Sequence, residues 1–263
     1  MKLRNVLVVY THPAIGESKK TLIHVKKILK KNNVQFNLAD RDKLRRQQFE
    51  KRDLIIAVGG DGTFLRAAQF VENEIIFGVN ADVLNKEGFF TEASRTSFEE
   101  KLGKIINDKS EIKRLPRLEA FINGKKIGTL ALNEFYIGPK KGYHGAKYTV
   151  QVGSKKERHK SSGILVTTPA GSYAWAKAAY RNIMPLDSKN FQFVVREPYE
   201  GKVFRGYKIK HGILKKNEKI IILSEMLDGV IVADSVGMEY PFKNGSKAMI
   251  KLSGKTLRLL MTK

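Results

Sequence analysis

The chain has no cysteine in its 263 residues, which excludes a disulfide framework, a thiolate nucleophile and a cysteine-based zinc site. It also lacks any long apolar run. Val6 to Tyr10, the apolar stretch near the start, is too short for a signal-peptide core, and nothing approaches the ~20 apolar residues of a membrane span. A soluble cytoplasmic protein without a membrane partner is expected. Acidic residues are scarce: 26 Asp and Glu against 49 Lys and Arg give a formal charge of +23. Such an excess points either to a polyanionic partner, nucleic acid or phosphorylated small molecules among them, or to a Lys-rich bias or an adaptation to heat or salt. With no helix-turn-helix, zinc-finger or ribonucleoprotein pattern, nucleic acid is not the expected partner. His24, His144, His159 and His211 lack metal-ligand spacing or a paired nucleophile.

What is present is the composition of a folded globular chain, 42% hydrophobic and 9% aromatic, long enough for one large domain or two ordinary ones. The first part alternates strand and helix patterns. Leu3 to Tyr10 reads as a buried strand. A basic helix follows, with Leu22, Val25, Ile28 and Leu29 on one face. Val34 to Ala39, Leu54 to Val58 and Ile75 to Val79 read as further strands. Ser97 and Glu100 form a capping-box pattern ahead of a helix with Phe98, Leu102, Ile105 and Ile106 inward. Alternation of this kind implies a parallel α/β sheet that binds ligands beyond the strands' carboxyl ends, so the loops after Tyr10, Val58 and Val79 should line one cleft. From about Arg114 short β-type runs dominate: Leu118 to Ile122, an Asn123-Gly124 turn, Ile127 to Ile137, Lys147 to Val152, Ile164 to Thr168, Phe191 to Val195, Lys219 to Leu223, Val230 to Ala233, Lys247 to Leu252 and Thr256 to Met261. Gly153 to Lys160 reads as a solvated hairpin tip rather than an RNA contact, and is the stretch where such a contact would be sought. The expectation is an α/β N-terminal domain with a parallel sheet over residues 1–112 and a β-rich C-terminal domain over 113–263.

The chemistry is concentrated at residues 54–66, where the apolar run Leu54 to Val58 stops at Gly59-Gly60-Asp61-Gly62-Thr63 and helix-forming residues resume at Phe64. Glycines there let a ligand approach the backbone, and the amides of a loop and helix N-terminus turned to one point favour an anion such as phosphate. Asp61 is the only charge in the loop. A carboxylate beside a phosphate site suits a general base toward a hydroxyl, or a ligand of phosphate-bound Mg²⁺, better than it suits affinity. The structural alternative is an N-capping Asp. Two later stretches carry polar residues in unexpected places: Leu132-Asn133-Glu134-Phe135, a polar pair within a strand pattern, and Thr167-Thr168-Pro169-Ala170-Gly171-Ser172-Tyr173-Ala174-Trp175, a second strand, Gly-containing turn and helix.

In this order and spacing the three stretches resemble the motifs of the NAD kinase family, within the superfamily that includes diacylglycerol kinases and phosphofructokinases. The resemblance implies an NAD kinase-like fold and phosphoryl transfer from ATP, with Mg²⁺ accompanying the phosphate donor, to the adenosine-ribose 2′-hydroxyl of NAD. It implies Asp61 as the base, Gly59, Gly60, Gly62 and Thr63 at the phosphates, Asn133 at the adenine, Glu134 near the ribose, and Thr168, Ser172, Tyr173 and Ala174 in the second cradle. Gly88-Phe89-Phe90 resembles the family's Gly-Phe segment, which would set Phe89 against the nucleotide; core burial is the alternative for such an aromatic. A homo-oligomer is implied as well. Several positions depart from the pattern: Asn85-Lys86-Glu87 look inserted, Ser162-Gly163 stands for Asp-Gly, Ala170, Tyr173 and Trp175 alter the second loop, Ala178 to Asn182 replaces a Ser and Gly-Gly-Pro, and Ala233-Asp234-Ser235-Val236 replaces an Asp-Gly-Gln. These leave open a kinase of the same superfamily with another hydroxyl acceptor, such as a nucleoside, another cofactor or a polyol, and a non-catalytic nucleotide- or nucleic-acid-binding relative.

Overall fold

The computed structural model describes residues 1–180 and 182–262; Arg181, one of the departures noted above, lies outside them. In chain order the first elements are β1 (Val6–Tyr10), α1 (Gly16–Lys31), β2 (Phe36–Asp40), β3 (Leu54–Gly59), α2 (Asp61–Ala68), β4 (Ile75–Asn80), β5 (Ala93–Ser94), α3 (Phe98–Ile106) and β6 (Ser110–Leu115). Next come β7 (Leu118–Ile122), β8 (Lys125–Lys126), β9 (Glu134–Pro139), β10 (Ala146–Val152), β11 (Lys155–Ser161), β12 (Ile164–Thr167), α4 (Trp175–Ala179) and β13 (Phe191–Val195). The chain ends with β14 (His211–Leu214), β15 (Ile220–Ser224), β16 (Gly229–Ala233), β17 (Glu239–Pro241), β18 (Lys247–Leu252) and β19 (Leu257–Thr262). Among the described residues no helix is long and apolar enough to cross a membrane.

The chain forms two compact units. The first comprises residues 1–114 and 257–263, the second 115–256. The closing strand, expected with the C-terminal domain, belongs to the first unit: β19 is paired in parallel with β4 and lies between β4 and β6 in the order β2-β1-β3-β4-β19-β6, with β5 alongside β4. Its Leu257, Leu259 and Leu260 are buried. Such a run fills a central position in a sheet covered on both faces better than an edge of an antiparallel one.

In the first unit the apolar stripe of α1 (Val25, Ile28 and Leu29) and that of α3 (Phe98, Leu102 and Ile105) join Val6, Val8, Ile56, Phe77 and Leu260 in one core. The capping box expected at Ser97 does not form: its Oγ accepts the amide of Ser94, and Glu100 pairs with Lys104 instead. The strand order reverses at β1, which lies between β2 and β3, so the loops after β1 and β3 sit at a topological switch point.

The second unit stacks two antiparallel sheets, ordered β11-β10-β15-β18-β7-β8 and β14-β13-β12-β9-β16-β17. Tyr148, Val150, Ile222 and Ile250 from one meet Phe135, Ile137, Val166 and Phe193 from the other in a shared core. Two expectations change here. Residues 127–133 are not strand, apart from a bridge between Ala131 and Leu118, so β9 begins only at Glu134. Residues 155–161 are a strand rather than a loop tip, paired with β10 residue for residue from Val152–Lys155 to Ala146–Ser161.

Candidate active site

In the first unit β3 ends at Gly59 and α2 begins at Asp61, with Gly60 as the cap residue in an extended conformation. Asp61 is therefore not an N-cap. Its carboxylate turns to a different segment, where Oδ2 accepts the amide of Phe89 at 3.0 Å and Oδ1 that of Phe90 at 2.9 Å. Those hydrogen bonds hold the carboxylate in one orientation, as a group acting on a substrate proton requires. The amides of Asp61 and Gly62, in the helix's first turn, have no acceptor among the described residues, the state in which helix N-termini receive anions. Thr63 is buried, and its hydroxyl lies 3.3 Å from that of Thr11, after β1, and 3.1 Å from Arg41 Nη1.

The glycines here answer to close approach. A Cβ on Gly59 would stand 2.3 Å from Thr63 Oγ1, whereas one on Gly62 would point into open space. Phe90, not Phe89, is the core aromatic: it stacks on Phe64 with centroids 4.9 Å apart, while Phe89 remains 43% exposed.

The second unit gathers the other expected residues around one corner. Asn133 and Glu134 are buried, and Asn133 Oδ1 and Glu134 Oε2 have no hydrogen-bond partner among the described residues. Orphaned buried acceptors are costly, which makes this pair the strongest internal sign of a ligand. Burial pushes the Glu134 carboxyl up to about 8, with the neighbouring Asp234 charge adding to the shift. At neutral pH the group is thus largely a protonated acid and a donor. Thr168 and Ser172 are buried and committed to the backbone. Thr168 Oγ1 donates to Leu132 O at 2.6 Å and accepts the amide of Gly171, while Ser172 Oγ donates to Pro169 O and accepts the amide of Met184. Any Cβ on Gly171 would lie 2.1 Å from Asn133 O. Only glycine lets the turn close over that carbonyl. Tyr173 is 38% exposed, and Ala174 links the short turn at 171–173 to α4.

Three features escaped the sequence reading. Asp234, noted there as part of a departure, is buried and accepts the amides of Leu132, Asn133 and Glu134 at 2.9, 2.7 and 3.2 Å, fixing the Asn-Glu corner from behind. Burial pushes its carboxyl up to about 6, against the pull of those amides and of Arg117. Asp234 and Ser235 adopt φ of +55° and +54°, a conformation glycine takes more readily, so the altered residues still make the required turn. Lys86, from the apparent insertion, lays its stem against Gly60, within 3.1 to 3.3 Å of where a Cβ would stand, and its carbonyl accepts Asn80 Nδ2. Trp175 is held between Tyr136, 5.4 Å between centroids, and the Arg196 guanidinium at 4.2 Å.

Residues 2–110, which include the Gly-Gly-Asp-Gly-Thr loop, match the ATP-NAD kinase N-terminal domain. Over 270 residues the chain is 25% identical to a protein of Oryza sativa subsp. japonica named "Probable NADH kinase", covering 92% of this chain and 81% of that one. It is 29% identical over 220 residues to an NAD kinase of Archaeoglobus fulgidus, covering 82% and 81% of the two chains. The crystal structure of an NAD kinase from Archaeoglobus fulgidus in complex with ATP matches with a TM-score of 0.78 at 25% identity, over 98% of this chain and 93% of the other. The chain thus carries the ATP-NAD kinase N-terminal domain over residues 2–110 and is similar over most of its length to NAD kinases.

Proposed function

We propose that the protein transfers the γ-phosphoryl group of ATP to the 2′-hydroxyl of the adenosine ribose of NAD, giving NADP and ADP. The observation that carries this reading is the Asp61 carboxylate, held by two amides at the first turn of α2 beside helix amides that lack an acceptor. Asp61 accepts the 2′-hydroxyl proton as that oxygen bonds to the γ-phosphorus and the bond to the β-γ bridging oxygen breaks. The loop amides and the Lys/Arg excess, with Lys160 in it, offset the charge gathered on the phosphates. In the second unit Asn133 Oδ1 accepts from the adenine amino group, and the protonated Glu134 donates to a ribose oxygen.

Mg²⁺ fits this loop as a partner of the donor. Among the described residues no three His, Asp or Glu side chains cluster as a metal cage, and Mg²⁺ is commonly held by one carboxylate, substrate phosphates and water. Asp61 is the carboxylate available to it, and the ion would neutralise charge between donor phosphates. The reading also takes the protein as a cytoplasmic homo-oligomer, a state that light scattering would measure. The Tyr136, Trp175 and Arg196 stack at the altered second loop favours keeping a second reading, in which the same transfer serves another hydroxyl acceptor.

Purified protein with ATP and Mg²⁺, offered NAD, NADH, nucleosides and polyols, tests both readings by mass spectrometry of the products. NADP from the native chain, lowered by about 10² to 10⁴ in Asp61→Asn, is the expected outcome. Undiminished turnover in that variant would remove Asp61 from the mechanism. A different phosphorylated product would replace NAD as acceptor.

A further inference from the structure

The β10–β11 hairpin, whose end at Gly153 to Lys160 reads in sequence as a solvated tip, is one side of a built surface. Strand β11 is the edge of its sheet, and residues 199–209 run beside it. Tyr199 N donates to Lys160 O at 2.8 Å, the Tyr207 hydroxyl lies 3.2 Å from Lys160 N, and Glu157 accepts the amides of Lys208 and Ile209. The register then sorts the outer face of the sheet into two lanes. Along β11, Lys156, Arg158 and Lys160 stand opposite Gln151, Thr149 and Lys147 of β10. Next to them, Leu223 and Ile221 of β15, Met249 of β18 and Phe121 of β7 share that face as a half-buried apolar lane. The opposite face of the same strands is the core, through Tyr148, Val150, Ile222 and Ile250.

Three properties of this face go beyond a Lys-rich composition. Lys147 and Lys160 are directly paired across the ladder, a like-charge arrangement that costs stability unless an anion lies over it. The nearby carboxylates are engaged: Glu225 with Arg158, Glu157 and Glu200 with backbone amides, and Glu197 with Arg196. Among the described residues no carboxylate is within ion-pair reach of Lys155, Lys156, Lys202, Arg205, Lys208 or Lys210. The cations are also interleaved with aromatic rings: Lys160 lies 4.1 Å from the Tyr199 centroid, Arg158 5.1 Å from that of Phe204, and Lys251 5.6 Å from that of Phe121.

We infer that this face binds single-stranded nucleic acid, its phosphates along the basic lane and its bases against Phe204, Phe121 and the apolar lane. Charge complementarity selects a polyanion and disfavours a second copy of a chain carrying +23. Rings beside the cations select a strand with exposed bases over a bare polyanion. Apart from Lys160, the activity proposed above uses no residue of this surface, and the variants that test the surface leave Lys160 in place.

The test is fluorescence anisotropy of a labelled 20-nucleotide oligouridine with the full chain between 50 and 200 mM KCl. Inorganic polyphosphate, a 20-base-pair duplex and anionic phospholipid vesicles serve as competitors. Binding should weaken steeply with salt, as it does where lysines displace counterions from phosphates. The triple variant Lys155→Glu, Lys156→Glu, Arg205→Glu should lose at least tenfold in affinity and flatten the salt dependence. Phe204→Ala should lose severalfold for oligouridine and nothing for polyphosphate. Both variants should keep the native melting temperature, which shows that they fold. Absence of binding at 50 mM KCl, or unchanged binding by the folded triple variant, would overturn the inference. So would equal competition by polyphosphate, duplex or vesicles, which would assign the face to another polyanion or to a membrane surface.

Discussion

Glu134 is the residue whose state reaches furthest into measurable behaviour. With the folded carboxyl at about 8 and an ordinary value of 4.5, the native protein keeps a proton that the unfolded chain has already released between those limits. Stability without ligand should therefore fall as pH rises from about 5 to 8, by up to about 1.4 kcal/mol per pH unit. Glu134→Gln should remove most of that slope in thermal melts; parallel slopes in the two proteins would show that this carboxyl does not titrate as its burial dictates. Asp234 adds the same sign over a lower window, from its ordinary 3.8 to about 6. The polar pair at 133–134 was legible in sequence because a strand pattern has no place for an unpartnered amide and acid. Asp234 was not, since nothing in Ala-Asp-Ser-Val announces that two non-glycine residues will adopt positive φ and turn a carboxylate onto three amides. Asp61 was legible by its glycines, but its contact with the amides of Phe89 and Phe90 was beyond a linear reading. For that reason Asp61→Asn, which sets an amide group toward one of those N–H donors, should also cost about 1 to 2 kcal/mol in stability.

The elements divide by how much they depend on partners far along the chain. Helices α1 and α3 follow from their own apolar stripes, and the Asn123-Gly124 turn adopts the two positive φ values its residues favour. Strand β11 was missed because Lys-Lys-Glu-Arg-His-Lys-Ser has little β-propensity of its own; the ladder with β10 and the loop beside it make it a strand. The opposite error at 127–133 arose from apolar residues that are buried outside any strand, such as Leu132 and Ile127, the latter with one backbone bond to Ala120 of β7. Inserted residues are the hardest to read, and Lys86 is the useful case. Its stem on Gly60 brings a cation to the Gly-rich loop, so Lys86→Ala should raise KM for ATP severalfold with little change in melting temperature. An unchanged KM would make the insertion a simple loop extension. In β19, Leu260 is buried in the first unit's core, and Leu260→Ala should cost about 2 to 4 kcal/mol by chemical denaturation. A cost below 1 kcal/mol would mean that the closing strand contributes little to that core.

At the scale of the whole molecule the charge of +23 acts on stability as well as on partners. Mutual repulsion among so many lysines is screened as the Debye length shrinks from about 30 Å at 0.01 M salt to about 10 Å at 0.1 M. The melting temperature should rise over that range, and a flat or falling trend in differential scanning fluorimetry would show that the charges are already compensated locally. The division into an α/β part and a β-rich part was legible from the change of rhythm near Arg114. The destination of the last strand was not, because Leu257 to Thr262 reads as β in either sheet, and only three-dimensional pairing distinguishes them. That pairing fixes an order of assembly on the ribosome. Residues 1–114 are made before the second unit, yet in the sheet order β6 is joined to the other strands of the first unit through β19, which is made after the contiguous second unit. The sheet of the first unit can therefore be completed only after the second unit has been synthesised. The nascent Gly-Gly-Asp-Gly-Thr loop stands on an incomplete sheet until β19 has been translated.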